Sequence, residues 1–263
     1  MRIDSHTHVV AADRHRYPTV GAGTGTWWEA PTPADTLLAG LDANGVDRAV
    51  VVQAVGPYAF DNRAALDAVA THPDRFVCIP AVDLDADGAL DAAAQLSART
   101  DVAGIRAFAV TGFGVDHPSA WVDDGSFGDV LDACSTVVLT AFSDQIERLL
   151  PVMANHPGTP VAVDHGGFPD WSARRHPVLD ALADLPQVSV KVSGHLLREA
   201  PDPAVAFTAF FERFGPDRLI AGTDYPQTAP DYGALWSELL AVAPAGDDAR
   251  GFLGDNAERL WFR

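Results

Sequence analysis

The chain has 263 residues, 48% hydrophobic and 21% charged, with 36 Asp+Glu against 18 Lys+Arg and a formal net charge of −18. That is enough apolar material for a large core, and a single α/β barrel of about 250 residues would use it all. So acidic a surface repels a phosphate backbone or an anionic membrane, which excludes nucleic acid and lipid as partners. No apolar stretch approaches the ~20 residues of a membrane span, and no basic segment followed by an apolar run opens the chain. The expectation is a soluble cytoplasmic protein acting on a small molecule, with homo-oligomerisation open. Cys78 and Cys134 form no C-x-x-C pair and read as small buried hydrophobes.

Runs rich in Val and Ile recur at residues 3–9, 49–54, 76–82, 104–108, 136–142, 160–165, 188–193 and 219–224. Helix-like segments alternate with them at 33–44, 63–71, 88–99, 127–134, 144–155, 177–183, 203–214 and 232–241. Thr32-Pro33 and Asp202-Pro203 each place a capping side chain before a proline at the first helical position, and Gly45 and Gly215 stand where helices stop. Runs apolar along their whole length predict parallel strands covered on both faces, in a barrel or a doubly wound sheet. Eight β-then-α units favour a single (β/α)8 TIM barrel over residues 1–263.

Long loops follow the first and fourth predicted strands. Residues 11–31 hold Gly21, Gly23 and Gly25 and then Trp27-Trp28, and residues 109–125 hold Gly112, Gly114 and Trp121. Loops of that length on a barrel rim form lids and substrate walls. The glycine run neither ends a short βα turn nor opens a helix, so it is no dinucleotide fingerprint. Residues 255–261 read as a terminal helix.

Chemistry in such a barrel sits at the C-terminal ends of the strands. His6 and His8 end the first strand; strict alternation places them on one face together with Asp4. Arg106 ends the fourth strand, His165 the sixth, Ser193 and His195 the seventh and Asp224 the eighth, whereas the fifth offers no charged or imidazole side chain. Of the other histidines, His72, His117, His156 and His176 each precede a proline and mark boundaries, and His15 lies in the first loop. His6, His8 and Asp224 make a three-ligand nest for zinc or manganese with a position left for water. Lys191 stands alone against 17 arginines, in the middle of the seventh strand. Buried there it needs a carboxylate, for which Asp4 and Asp224 are the candidates.

Asp4-x-His6-x-His8, Val163-Asp164-His165-Gly166, Lys191-Val192-Ser193-Gly194, Gly222-Thr223-Asp224-Tyr225-Pro226 and Asn256-Ala257 together resemble the amidohydrolase-related barrels, in particular the branch with sugar-acid and dicarboxylate lactonases. The resemblance implies Asp224 as general base and His165, helped by His6 and His8 or a metal they hold, as the group that polarises a carbonyl. It also implies Arg106 as a clamp for a substrate carboxylate, a task suited to a guanidinium, the alternative being a structural salt bridge across the barrel mouth. In the wider superfamily a histidine on the fifth strand helps bind metal; here that strand ends in Phe142, and relatives lacking the histidine include lactonases that need no metal. His195, Trp27, Trp28 and Tyr225 are the remaining candidate substrate contacts, and the aromatics among them serve equally to pack the loops. Lys191 is a further catalytic candidate, holding the base in place. No Gly-x-Ser-x-Gly elbow appears, so a serine nucleophile is not expected, and the resemblance implies opening of a carboxylated or polyhydroxylated lactone by activated water. The alternatives are a metal-dependent decarboxylase or hydratase on the same barrel and a catalytically idle binding protein.

Overall fold

A computed structural model describes residues 1–20, 26–112, 119–173 and 175–262. Gly21, Gly23, Gly25, Phe113, Gly114 and His117 lie outside the described residues. The strands are β1 (Ile3–Thr7), β2 (Arg48–Val52), β3 (Phe76–Ile79), β4 (Ala81–Val82), β5 (Ile105–Phe108), β6 (Val137–Thr140), β7 (Val161–Val163), β8 (Val188–Ser193) and β9 (Leu219–Gly222). All pair in parallel, in the orders β1-β2-β3 and β4 through β9.

The predicted third strand is thus two pieces. Pro80 has no N–H for the ladder, and beyond it the side-chain amide of Asn62 pairs with both the N–H and the C=O of Ala81 at 2.8 Å each. The ladder continues past the break, where Ala103 donates to the Cys78 carbonyl at 2.9 Å and Arg106 N–H to the Pro80 carbonyl at 2.8 Å. At the other end Asp224 N–H reaches the His6 carbonyl at 2.8 Å and His8 N–H the Tyr225 carbonyl at 2.7 Å, which joins the last strand to the first. The result is the (β/α)8 barrel that the periodicity predicts.

The helices are α1 (Ala34–Ala43), α2 (Val55–Tyr58), α3 (Arg63–Thr71), α4 (Ala89–Ser97), α5 (Ser126–Ala133), α6 (Ser143–Asn155), α7 (Pro177–Ala183), α8 (Gly194–Glu199), α9 (Pro203–Phe214), α10 (Tyr232–Val242), α11 (Asp247–Arg250) and α12 (Asn256–Trp261). Among the described residues none is long and apolar enough to cross a membrane. Asp202 caps α9 as expected, accepting from Ala204 and Val205 N–H, an arrangement worth about 1 kcal/mol. Thr32 does not cap α1. Its backbone pairs with Val10 and leaves Pro33 at the cap, because the loop returning from β1 takes the backbone groups first. The short α2 and α8 are too brief for a helical period to show in sequence.

Two apolar layers hold the barrel. Ile3, Val50, Val52, Ile79, Val138, Ala162 and Ile220 fill the interior, with Ala257 and Trp261 of α12 packed against them. The alternate strand residues pack outward against the helices. β1 departs from strict alternation: Asp4 pairs with Ala49 and Thr7 with Val51, so three residues span what two span on β2. Asp4 therefore turns outward to Tyr232 of α10, and His6 and His8 turn inward. The shared face expected for all three is corrected by this bulge. Gly222 admits it, since a Cβ there would lie 2.8 Å from His6 Cβ and 2.9 Å from Ser5 Oγ.

Candidate active site

The inward side chains at the C-terminal strand ends gather at one end of the barrel, some lining a cleft there and the rest buried beneath it. β1 brings His6 and His8, β5 Arg106, β6 Thr140, β8 Lys191 and Ser193, and the turns after β7 and β9 bring Asp164, His165 and Asp224. His165 and Asp224 sit at φ 52° and 59°, in the left-handed region that costs a non-glycine residue about 1 kcal/mol or more. Such conformations persist where surrounding contacts over-determine them, and here they turn both side chains back over the barrel mouth. Gly166, at φ 63°, has no room for a side chain, as a Cβ would stand 2.6 Å from Phe210 Cζ.

Asp164 is the hub of the buried charges. Its Oδ1 lies 3.1 Å from Lys191 Nζ and 3.1 Å from His6 Nδ1; its Oδ2 lies 3.0 Å from Arg106 Nη2 and 2.6 Å from Thr140 Oγ1. Burial disfavours its charge, but Lys191, His6 and Arg106 together hold its carboxyl well below the usual range. Lys191 thus pairs with Asp164 and not with Asp4 or Asp224: it is wholly buried one layer below the rim, with its ammonium 5.0 Å over the Trp261 ring. Asp4 is occupied elsewhere, accepting from Thr223 N–H at 2.9 Å, Thr223 Oγ1 at 2.6 Å and Tyr232 OH at 3.1 Å, and burial pushes its carboxyl up to about 6.

Three imidazoles surround Asp224. His8 Nε2 and His6 Nε2 lie 3.2 and 3.5 Å from its Oδ1, and donor atoms of His6, His165 and Asp224 fall within 4.8 Å of one another. Burial opposes ionisation of Asp224, yet His165, His8 and His6 hold it far below the ordinary carboxylate range. Burial pushes His6 well below the imidazole range and His165 down to about 4, so both rings are neutral near pH 7.

The donor set fits a divalent cation. His8 Nδ1 faces the Val52 carbonyl at 2.9 Å; a carbonyl only accepts, so Nδ1 carries a hydrogen and Nε2 is the nitrogen turned to Asp224, 3.2 Å from its Oδ1. His6 Nδ1 faces the Asp164 carboxylate at 3.1 Å, closer than the Lys191 ammonium at 3.4 Å, and its buried Nε2 has no hydrogen-bond partner among the described residues. Two ring nitrogens and a carboxylate oxygen converging in a dry site need a cation or extra protons between them.

Trp27, Val55, Phe108, Val110 and Phe168 form the apolar wall of the cleft, with Arg106, Thr140, His165, His195 and Gln227 as its polar lining. Arg106 is largely committed: Nε reaches Thr140 at 2.8 Å and Nη1 the Gln53 carbonyl at 2.9 Å, besides the contacts to Asp164. Trp28 does not line the cleft but packs edge-on against Trp27 at 5.6 Å. Tyr225 is directed into the outer core beside Tyr232, with ring centroids 5.4 Å apart, because the β1 bridge to its backbone turns the side chain away.

The amidohydrolase family model matches residues 3–263. The chain belongs to the amidohydrolase family. No curated protein matches it. Among solved structures, a zinc-bound amidohydrolase from Burkholderia multivorans is similar at 22% identity and a TM-score of 0.77, over 99% of this chain and 98% of that one. A candidate 2-pyrone-4,6-dicarboxylic acid hydrolase from Acinetobacter baumannii, carrying citric acid, is similar at 21% identity and 0.78, over 100% and 99%. The 2,6-dihydroxybenzoate decarboxylase from Rhizobium is similar at 16% and 0.72, over 98% of each chain. At these identities the likeness extends to the fold.

Sequence reasoning missed two groups in this amidohydrolase. Asp164 stands in the Val163-Asp164-His165-Gly166 motif with no role there, although Lys191 on β8 and Arg106 on β5, on either side of the β7 end that Asp164 follows, both need a carboxylate. Thr140 ends the strand that offers no charged group, yet its hydroxyl bridges Arg106 and Asp164. Nothing in its local sequence marks it.

Proposed function

We propose that this amidohydrolase opens a lactone or related cyclic ester of a small molecule bearing a carboxylate or several hydroxyls, by attack of an activated water. The observation that supports this is an ionised carboxylate, Asp224, among three imidazoles beside a cleft with one guanidinium and aromatic walls. Asp224 is the base that takes the proton from water, with its Oδ2 held by the Thr228 hydroxyl at 2.7 Å. His165 faces the scissile carbonyl and stabilises the charge that develops on its oxygen, an electrostatic contribution worth several kcal/mol in a dry site, roughly 2.7–4 per donor. Arg106 contacts a substrate carboxylate with the N–H groups that Asp164, Thr140 and Gln53 leave over. His195 and Trp27 flank the ring, and Lys191 acts through Asp164.

His6, His8 and Asp224, with His165 in reach, are the residues that would hold a zinc or manganese ion. Such an ion supplies Lewis-acid polarisation when bound. Decarboxylation of an aromatic acid is the second reading, favoured by the aromatic side chains of Trp27, Phe108 and Phe168 in the cleft wall.

The test is a panel of neutral and carboxylated lactones, with dihydroxybenzoates beside them, assayed with and without chelator. Ring opening that disappears in Asp224→Asn supports the first reading. Release of carbon dioxide from an aromatic acid with every lactone untouched replaces it with the second.

A further inference from the structure

We propose that Ser193 is a positioning residue that fixes the neutral tautomer of His165 with its hydrogen on Nε2, so that the ring presents an N–H to the cleft. The kinetic consequence rests on the lactone-opening reading; the tautomer does not. Ser193 ends β8, is wholly buried and caps α8, its Oγ accepting from Leu196 N–H at 3.2 Å. The same Oγ lies 2.7 Å from His165 Nδ1. The hydroxyl has one hydrogen, and among the described residues His165 Nδ1 is the acceptor within reach of it.

Two arrangements exist, and they are unequal. If Nδ1 carried the hydrogen, Ser193 would accept twice and its own hydrogen would be buried without an acceptor, a state that folded proteins avoid. If Ser193 donates to Nδ1, every polar atom from Leu196 N–H through Oγ to Nδ1 is satisfied. The neutral ring then carries hydrogen on Nε2. No acceptor among the described residues takes that hydrogen, and His165 lines the cleft beside Arg106 and His195.

This divides the labour among the imidazoles. A ring with hydrogen on Nε2 has no lone pair there for a metal, whereas His6 and His8, which carry hydrogen on Nδ1, turn Nε2 to Asp224. His6, His8 and Asp224 are then the metal-holding set, and His165 is the donor that meets the carbonyl oxygen. The arrangement depends on α8 starting immediately after β8, so that one hydroxyl serves both helix and imidazole.

The experiment is a long-range proton–nitrogen correlation spectrum of protein labelled with 15N-histidine, with the His165 signals assigned by their loss in His165→Gln. The expected wild-type pattern is a protonated Nε2 and an acceptor Nδ1. Ser193→Ala should shift this to the other tautomer or a mixture, and lower kcat on any lactone the enzyme opens about 10–100-fold with little change in KM. Ser193→Thr, which keeps the hydroxyl, should restore both. A protonated Nδ1 in the wild type, or an unaltered tautomer in a folded Ser193→Ala protein, overturns the proposal; should that variant unfold through loss of its cap, the wild-type spectrum alone decides. The expected spectrum with no lactone turned over would retire the lactone reading and leave the tautomer standing.

Discussion

Replacing Lys191 by methionine removes one of the two full cations around Asp164 while nearly conserving volume. The ammonium stands 3.1 Å from the carboxylate, a separation at which the attraction is about 5 kcal/mol at an effective dielectric near 20. Part of that loss is offset, because the ammonium no longer has to be desolvated. Asp164 keeps Arg106 at 3.0 Å and Thr140 at 2.6 Å and stays ionised, so the net effect is that of breaking a buried pair, about 3–5 kcal/mol. For a chain of this size each kcal/mol moves Tm by about 2–4 °C, which gives a fall of roughly 6–20 °C. Circular dichroism melts measure it, and urea titration should show a lower midpoint with an unchanged slope. Lys191→Arg should not rescue, because the space between Asp164 and the Trp261 ring is filled by a slender side chain. A Tm within about 2 °C of wild type would refute the account, since it would mean that Arg106 alone satisfies the hub.

Other outcomes follow from the same geometry. Asp224→Asn keeps size and tolerates φ 59°, so the fold should persist while turnover falls about 10²–10⁴-fold; a variant within threefold of wild type would remove Asp224 from the base role. Thr140→Val deletes the hydroxyl that bridges Arg106 and Asp164 and should cost about 1–3 kcal/mol in urea unfolding. Gly166→Ala forces a methyl against Phe210 in a left-handed turn and should cost more than the typical ~1 kcal/mol of a point substitution, with any soluble product losing activity through displacement of His165. Burial raises both thiols, Cys134 to about 11 and Cys78 beyond that, so at pH 8 neither forms appreciable thiolate. Iodoacetamide should label neither in the native protein and both in urea, as mass spectrometry would show.

Much of this protein is written locally. Eight Val- and Ile-rich runs alternate with segments of helical period, and proline and glycine punctuate them, because covered parallel strands and their helices impose composition on every residue they contain. The strand-end rule then brings His6, His8, Arg106, His165 and Asp224 to one rim without any coordinates.

Distant pairings decide the rest. Asp4 leaves the face of His6 because β1 bulges against a glycine more than two hundred residues away, and alternation within one strand carries no trace of that contact. Lys191 meets Asp164 because inter-strand register places their side chains in one layer, and a sequence shows that a buried lysine needs a carboxylate without saying which. Trp28 and Tyr225 turn from the cleft for the same reason: the backbone bridges and ring contacts that aim them are made by other parts of the chain. Local chemistry determines which groups need partners; the closing of the barrel determines which partners they meet.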